Sequence, residues 1–188
     1  MSKLFKILLT ILFFIAIAIA GYLSTRINWS ELSSTINNND PGLYKVVSVA
    51  DGDTIIVDMN GTDEKIRFIG IDTPEKNHPD FAVQCFALEA EQHLREVLGT
   101  SKVRLEADPQ NSNRDVYDRL LRFVYLPDGT FVNGKMVEDG YAFAYTGYSN
   151  SKLNEFRNLE SRAREANIGL WNSCDVDINN GRPLTNPA

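Results

Sequence analysis

A chain of 188 residues with 43% hydrophobic side chains, 12 Gly and 7 Pro has the makeup of one ordinary globular domain plus some extra chain, which excludes collagen-like, disordered and disulfide-dense classes. Two His and two widely separated Cys exclude most zinc sites, which need three or four N/S ligands at short spacings. With 19 Lys+Arg against 25 Asp+Glu the formal charge is −6, which argues against a protein that grips nucleic acid by bulk charge.

At the N-terminus, Lys3 and Lys6 precede an apolar run over residues 7–20, which Gly21, Tyr22 and Leu23 extend. A basic start, an apolar stretch and small residues at Ala18 and Ala20 fit a signal peptide cut after Ala20. Counted over 7–23, the run also reaches the lower edge of what spans a bilayer as a helix. Residues 1–23 are therefore either a signal peptide or an N-terminal hydrophobic helix that anchors the chain to the membrane through residues 7–23. Two lysines before the run, against Arg26 after it, put the N-terminus inside and the rest outside. Both readings make the working domain extracytoplasmic, secreted or anchored.

Residues 24–42 contain Ser33-Ser34-Thr35, Asn37-Asn38-Asn39 and Asp40-Pro41-Gly42 and read as a polar linker. The domain follows over 43–174, and 175–188 reads as a flexible polar tail. Outside the cytoplasm Cys85 and Cys174 are candidates for a disulfide; the alternative is two free thiols too far apart to bond.

The domain reads as strands first and helices later. Residues 44–49 and 54–57 are β-branched runs separated by the turn Ala50-Asp51-Gly52-Asp53, and Asn60-Gly61 turns the chain into a third strand over 65–71. Phe86, Ala90, Leu94 and Val97 recur at helical spacing up to Gly99. Strands over 102–107 and 120–126 come next, then a short helix over 133–139 with Gly140 as its cap. A last helix carries Leu153, Phe156, Leu159, Ala163 and Ala166. This order suggests an α+β domain, a five-stranded OB-fold Greek-key barrel with about three helices packed on it.

The chemistry sits at the turns and strand ends. In Ile66-Arg67-Phe68-Ile69-Gly70-Ile71 both alternating sets are apolar, so the strand is buried on both sides with Arg67 inside it. A buried guanidinium is costly unless an anion answers it, either a structural carboxylate or a bound phosphate. Asp72-Thr73-Pro74-Glu75 has the form of a helix capping box, and Asp51-Gly52-Asp53-Thr54 that of a plain turn. A barrel would bring the two turns together, however, and Asp53 and Asp72 with a backbone carbonyl then make an oxygen-only site suited to Ca²⁺. Asp115-Val116-Tyr117-Asp118-Arg119-Leu120-Leu121 adds a second Arg at the start of a strand. Two Arg forks beside a divalent cation and a free carboxylate suit phosphoryl transfer.

The order Asp-Gly-Asp-Thr, Ile-Arg-x-x-Gly-Ile-Asp-Thr-Pro-Glu, Asp-x-Tyr-x-Arg-Leu-Leu, Val-x-x-Gly-Tyr-Ala and Gly-Leu-Trp resembles the staphylococcal nuclease (thermonuclease) family over about 44–171. The resemblance implies an OB-fold barrel and Ca²⁺-dependent endonucleolytic cleavage of DNA and RNA to 3′-phosphate ends. It implies that Asp53, Asp72 and the Thr73 carbonyl hold Ca²⁺, that Glu75 is the general base, and that Arg67 and Arg119 hold the scissile phosphate with Tyr117 at its edge. One departure is Asp118, which stands where members commonly have Gly; its carboxylate either partly neutralises Arg119 or points to solvent. Tyr145 and Tyr148 are candidates for base stacking, whereas Tyr141 and Phe143 lean to the core. His78, beside Pro79, reads as a loop residue, His93 as a partly buried helix residue, and Trp171 as packing on the last helix. A non-catalytic OB-fold module that binds nucleic acid or protein outside the cytoplasm is the alternative. No oligomerisation signal is present, which fits a monomer.

Overall fold

Five strands close into a barrel in the computed structural model, which describes Phe5 and residues 42–76, 82–179 and 182–188. The expected N-terminal helix or signal segment, the linker up to residue 41 and His78 lie outside the described residues. Among the described residues no helix is long and apolar enough to cross a membrane.

The barrel strands are β1 (Leu43–Asp51), β2 (Thr54–Asp58), β3 (Asp63–Phe68), β5 (Lys102–Glu106) and β6 (Leu120–Tyr125), in spatial order β1-β2-β3-β6-β5. Their β-branched and aromatic residues alternate inward, so that Ile55, Val57, Ile66, Phe68, Val103 and Val124 are essentially sealed from water. Closure depends on one parallel pairing, β3 with β6, in which Ile66 lies opposite Leu120 and Arg67 opposite Leu121. Buried Asn133 supports that seam: its Oδ1 accepts from Val124 N at 2.9 Å and its Nδ2 donates to the Ile69 carbonyl at 3.0 Å.

The third strand ends earlier than the expected 65–71. Gly70 adopts φ +77°, and a Cβ there would lie 2.2 Å from the Phe156 ring, so glycine is demanded by both backbone and packing. Beyond that break, β4 (Ile71–Asp72) leaves the barrel and pairs antiparallel with β7 (Phe143–Ala144). The turn places Asp72 outside the barrel wall.

Three main helices cover the barrel: α1 (Ala87–Leu98), α2 (Val132–Glu138) and α3 (Leu153–Glu165). Each buries one stripe, as Ala90, Leu94 and Leu98 do on α1 and Phe156, Leu159 and Ala163 on α3. The short α4 (Leu170–Ser173) brings Trp171 edge-on to Phe143 at 5.3 Å between ring centroids. Tyr141 stacks on His93 at 3.9 Å, and His93 Nε2 meets Asp139 Oδ2 at 2.7 Å.

The tail differs from the flexible polar extension expected over 175–188. Val176–Asn179 (β8) and Arg182–Thr185 (β9) pair antiparallel, and Gly42–Ala188 is one compact unit. Docking of this hairpin answers its backbone groups: Cys85 N donates to the Asn186 carbonyl at 2.7 Å and Ala188 N to that of Val83 at 2.8 Å. Cys85 and Cys174 are disulfide-bonded across a separation of 89 residues, at the foot of the hairpin.

Candidate active site

Asp53 closes the β1–β2 turn, and the turn presses tightly on Thr73. At Gly52 a Cβ would come within 2.9 Å of both Thr73 and Ala90, so only glycine lets the two segments meet. Asp53 Oδ2 accepts from Thr73 N at 3.1 Å and from Thr73 Oγ1 at 3.2 Å, and Thr54 Oγ1 donates to its Oδ1 at 3.1 Å. The Asp72-Thr73-Pro74-Glu75 segment thus caps no helix; α1 begins only at Ala87.

Arg67 is the hub. Its Nη2 lies 3.1 Å from Asp53 Oδ2 and 3.0 Å from Asp72 Oδ1, while Nη1 donates to the Phe68 and Ile71 carbonyls at 2.8 and 2.9 Å. The guanidinium answers two carboxylates and is held rigid by two carbonyls, so its charge is satisfied although it is largely buried. Burial holds the Asp72 carboxyl above the ordinary carboxylate range, against hydrogen bonds from Arg182 and the charge of Arg67. Burial together with neighbouring Asp53 pushes Asp51 up to about 7.

Glu75 stands at the rim, half-exposed. Its backbone is clamped by buried Gln84, whose Oε1 accepts from Glu75 N at 2.7 Å and whose N donates back to the Glu75 carbonyl at 3.0 Å. Its carboxylate is taken by Arg182: Nη2 lies 3.0 Å from Glu75 Oε1 and 3.0 Å from Asp72 Oδ1, and Nε lies 2.6 Å from Asp72 Oδ2.

Arg119 precedes β6 and is held by Asp115, whose Oδ2 accepts from Arg119 Nε at 2.7 Å and Oδ1 from its backbone N at 2.9 Å. Although burial works the other way, these N–H groups hold Asp115 below the usual carboxylate range. Leu121, two residues after Arg119, pairs with Arg67, so the segment that carries Arg119 enters the sheet beside β3. The exposed Tyr117 ring lies 5.4 Å from the Arg119 guanidinium. Tyr145 and Tyr148 approach at 5.9 Å, and Tyr145 N donates to the Gly70 carbonyl, which ties this pair to the β4 break.

Asp118 turns away from Arg119. Its side chain is 88% exposed and its Oδ1 lies 3.5 Å from Arg114 Nε, while its backbone adopts φ 63°. That left-handed conformation explains why glycine suits the position. Asp118→Gly is expected to raise stability by about 0.5–1 kcal/mol in a urea melt, because the exposed ion pair that it removes is worth little. A loss of stability would contradict this.

The structure therefore gathers Asp53, Arg67, Asp72 and Thr73 into one hydrogen-bonded cluster, joined to Glu75 through Arg182, with Arg119 and Tyr117 in the segment that leads into β6, the strand paired with β3. Among the described residues no three His, Cys, Asp or Glu side chains converge into a ready metal cage. Two carboxylates and a carbonyl need only two, and the donor set fits a hard cation: Asp53 and Asp72 each place an oxygen within 3.1 Å of the same Arg67 nitrogen. The roles of Arg182 and Gln84 and the partly buried setting of Asp51 were not expected from the sequence. For Arg182 a signal existed, because Asn180-Gly181 between two alternating runs is a strong hairpin mark.

A small barrel that carries carboxylates and arginines at its strand ends defines a phosphodiester-hydrolase type of site. A family described as "Staphylococcal nuclease homologue" matches residues 65–173. The chain is 37% identical over 142 residues to "Thermonuclease" of Staphylococcus hyicus, covering 75% of this chain and 82% of the relative. It is 35% identical over 133 residues to "Endonuclease YncB" of Bacillus subtilis (strain 168), covering 70% and 62%. It is also 36% identical over 129 residues to "Thermonuclease" of Staphylococcus intermedius, covering 68% and 75%. The chain belongs to the staphylococcal nuclease family, and its class, a nuclease hydrolase, follows from that membership.

Proposed function

We propose that the protein is a Ca²⁺-dependent endonuclease that cuts DNA and RNA outside the cytoplasm and leaves 3′-phosphate ends. The observation that carries this reading is the single cluster of Asp53, Arg67, Asp72, Thr73 and Glu75, with Arg119 at the entry to β6, the strand paired with β3. The Cys85–Cys174 disulfide supports an oxidising compartment.

In this reading Asp53, Asp72 and the Thr73 carbonyl hold Ca²⁺, which when bound supplies Lewis-acid polarisation of a phosphoryl oxygen. Glu75 takes the proton of the attacking water. Arg67 and Arg119 grip the phosphate oxygens and neutralise the charge that grows there, each preorganised by its own partners. Water attacks opposite the 5′-oxygen, the P–O5′ bond breaks, the 5′-oxygen takes a proton from solvent and leaves as a hydroxyl, and the phosphate stays on the 3′ side. Tyr117 donates a hydrogen bond at the edge of the phosphate, and Tyr145 and Tyr148 stack on bases.

Nicking of plasmid DNA and cleavage of RNA by the full chain are expected with millimolar Ca²⁺ and not with a chelator. Cut strands should accept a 5′-phosphate label without prior phosphatase, because their 5′ ends are hydroxyls. A folded protein that cuts nothing at any Ca²⁺ level would overturn the proposal and leave the binding module. Arg67→Lys and Arg119→Lys should each lower kcat by about 10²–10³, since an ammonium cannot reproduce the fork. Retention of more than a tenth of wild-type kcat would remove the arginine from the clamp.

A further inference from the structure

The C-terminal hairpin brings a cation into the cluster. Every hydrogen bond that the Arg182 side chain makes among the described residues goes to Asp72 or Glu75, an expected metal ligand and the expected base. The contact to Asp72 is a two-pronged fork, Nε to Oδ2 at 2.6 Å and Nη2 to Oδ1 at 3.0 Å, so both oxygens of that carboxylate are used. The arm is not free to wander. Thr185, three residues on, is buried and donates its Oγ1 to the Cys85 carbonyl at 2.8 Å, and Asp175 and Asn186 hydrogen-bond across the foot of the hairpin at 2.9 and 3.0 Å. The disulfide at Cys174 fixes the other end of that foot. Gln84, which clamps Glu75, adjoins Cys85, so the segment that positions the base also seats the arm.

The geometry points to an autoinhibitory contact: Arg182 is a tethered stand-in for the divalent cation, and it must leave Asp72 and Glu75 before the site can bind Ca²⁺ and act. This rests on the Ca²⁺-dependent reading above. Arg67 Nη2 already takes Asp72 Oδ1 at 3.0 Å, so Oδ2 is the oxygen left for a further cation, and Arg182 Nε occupies it at 2.6 Å. Ca²⁺ placed there would meet the Arg182 guanidinium at contact distance, like charge against like in a partly buried site. Binding of either one opposes the other, and the coupling is reciprocal. Release is feasible because the Arg182 side chain is 38% exposed and has solvent to move into, whereas Arg67, at 15%, is largely enclosed. Holding Glu75 as well keeps the base engaged until the cation arrives. The arm thereby sets the Ca²⁺ level at which the site switches on.

Ca²⁺ titration by calorimetry on the full chain, wild type against Arg182→Gln and Arg182→Lys, tests this directly. Arg182→Gln is expected to bind Ca²⁺ about 10-fold more tightly, within the range usual for coupled sites. Arg182→Lys, which keeps a charge without the fork, should fall between the two, and near-UV circular dichroism should show both variants folded. Equal or weaker Ca²⁺ binding by folded Arg182→Gln would overturn the inhibitory role, as would absence of Ca²⁺ binding in all three proteins. Plasmid nicking read in parallel separates the two proposals. Tighter Ca²⁺ binding without cutting keeps the arm and removes the nuclease reading; cutting with an unchanged Ca²⁺ requirement does the reverse.

Discussion

Glu75→Gln is expected to lower kcat by about 10²–10⁴ with the fold and Ca²⁺ binding retained, the range spanned by loss of a positioned general base. The substitution keeps volume and one hydrogen-bond acceptor and removes the negative charge and with it the ability to take a proton. The Glu75 backbone is held from both sides by Gln84, so the new amide should sit where the carboxylate does. The one side-chain contact that weakens is with Arg182, at 3.0 Å. Single-turnover nicking at saturating Ca²⁺, beside a Ca²⁺ titration, measures both halves of the expectation. A variant that cuts within tenfold of wild type would move the base elsewhere, and one that loses Ca²⁺ binding would make Glu75 part of the cation site.

Removal of the Cys85–Cys174 bond by the double change Cys85→Ser and Cys174→Ser should cost about 4–5 kcal/mol. That is the loop-closure entropy which a cross-link of this span removes from the unfolded chain in the chain-entropy model. Against a total stability of about 5–15 kcal/mol for an ordinary domain, the loss is large. The bond also stands between the segment that seats Glu75 and the foot of the hairpin that carries Arg182, so both should loosen together. Urea unfolding with and without reductant gives the number, and hydrogen exchange at Thr185 and Asn186 reports the hairpin. A change under about 1 kcal/mol would mean that packing alone holds the two segments.

Much of the barrel can be read locally. The alternation around Ile55, Val57, Ile66 and Phe68 and the helical spacing of Ala90 and Leu94 fall within single elements, and the structure buries those faces, although the helix stripe ends on Leu98 and leaves the expected Val97 only partly buried. The strand break at Gly70 could not be read that way, because its cause is the ring of Phe156, which arrives from α3. Arg67 as a buried cation in an apolar strand was legible; which carboxylates answer it was not, since Asp53 and Asp72 reach it from different turns. Asp118 and Arg119 are neighbours in the chain, yet one pairs with Arg114 and the other with Asp115, because the left-handed backbone at Asp118 turns its side chain outward.

Local sequence was enough for the order of the five barrel strands and the three main helices, and for a cation, Arg67, within an apolar strand. These depend on residue type and on periods of two and 3.6, which neighbouring residues carry. Tertiary structure alone decided that β3 closes on β6 in parallel, that Cys85 meets Cys174, and that Arg182 ends against Asp72, 110 positions away. An ion pair of that span has no local signature: its partners are chosen by where the closed barrel and the docked hairpin leave a buried carboxylate within reach of a guanidinium.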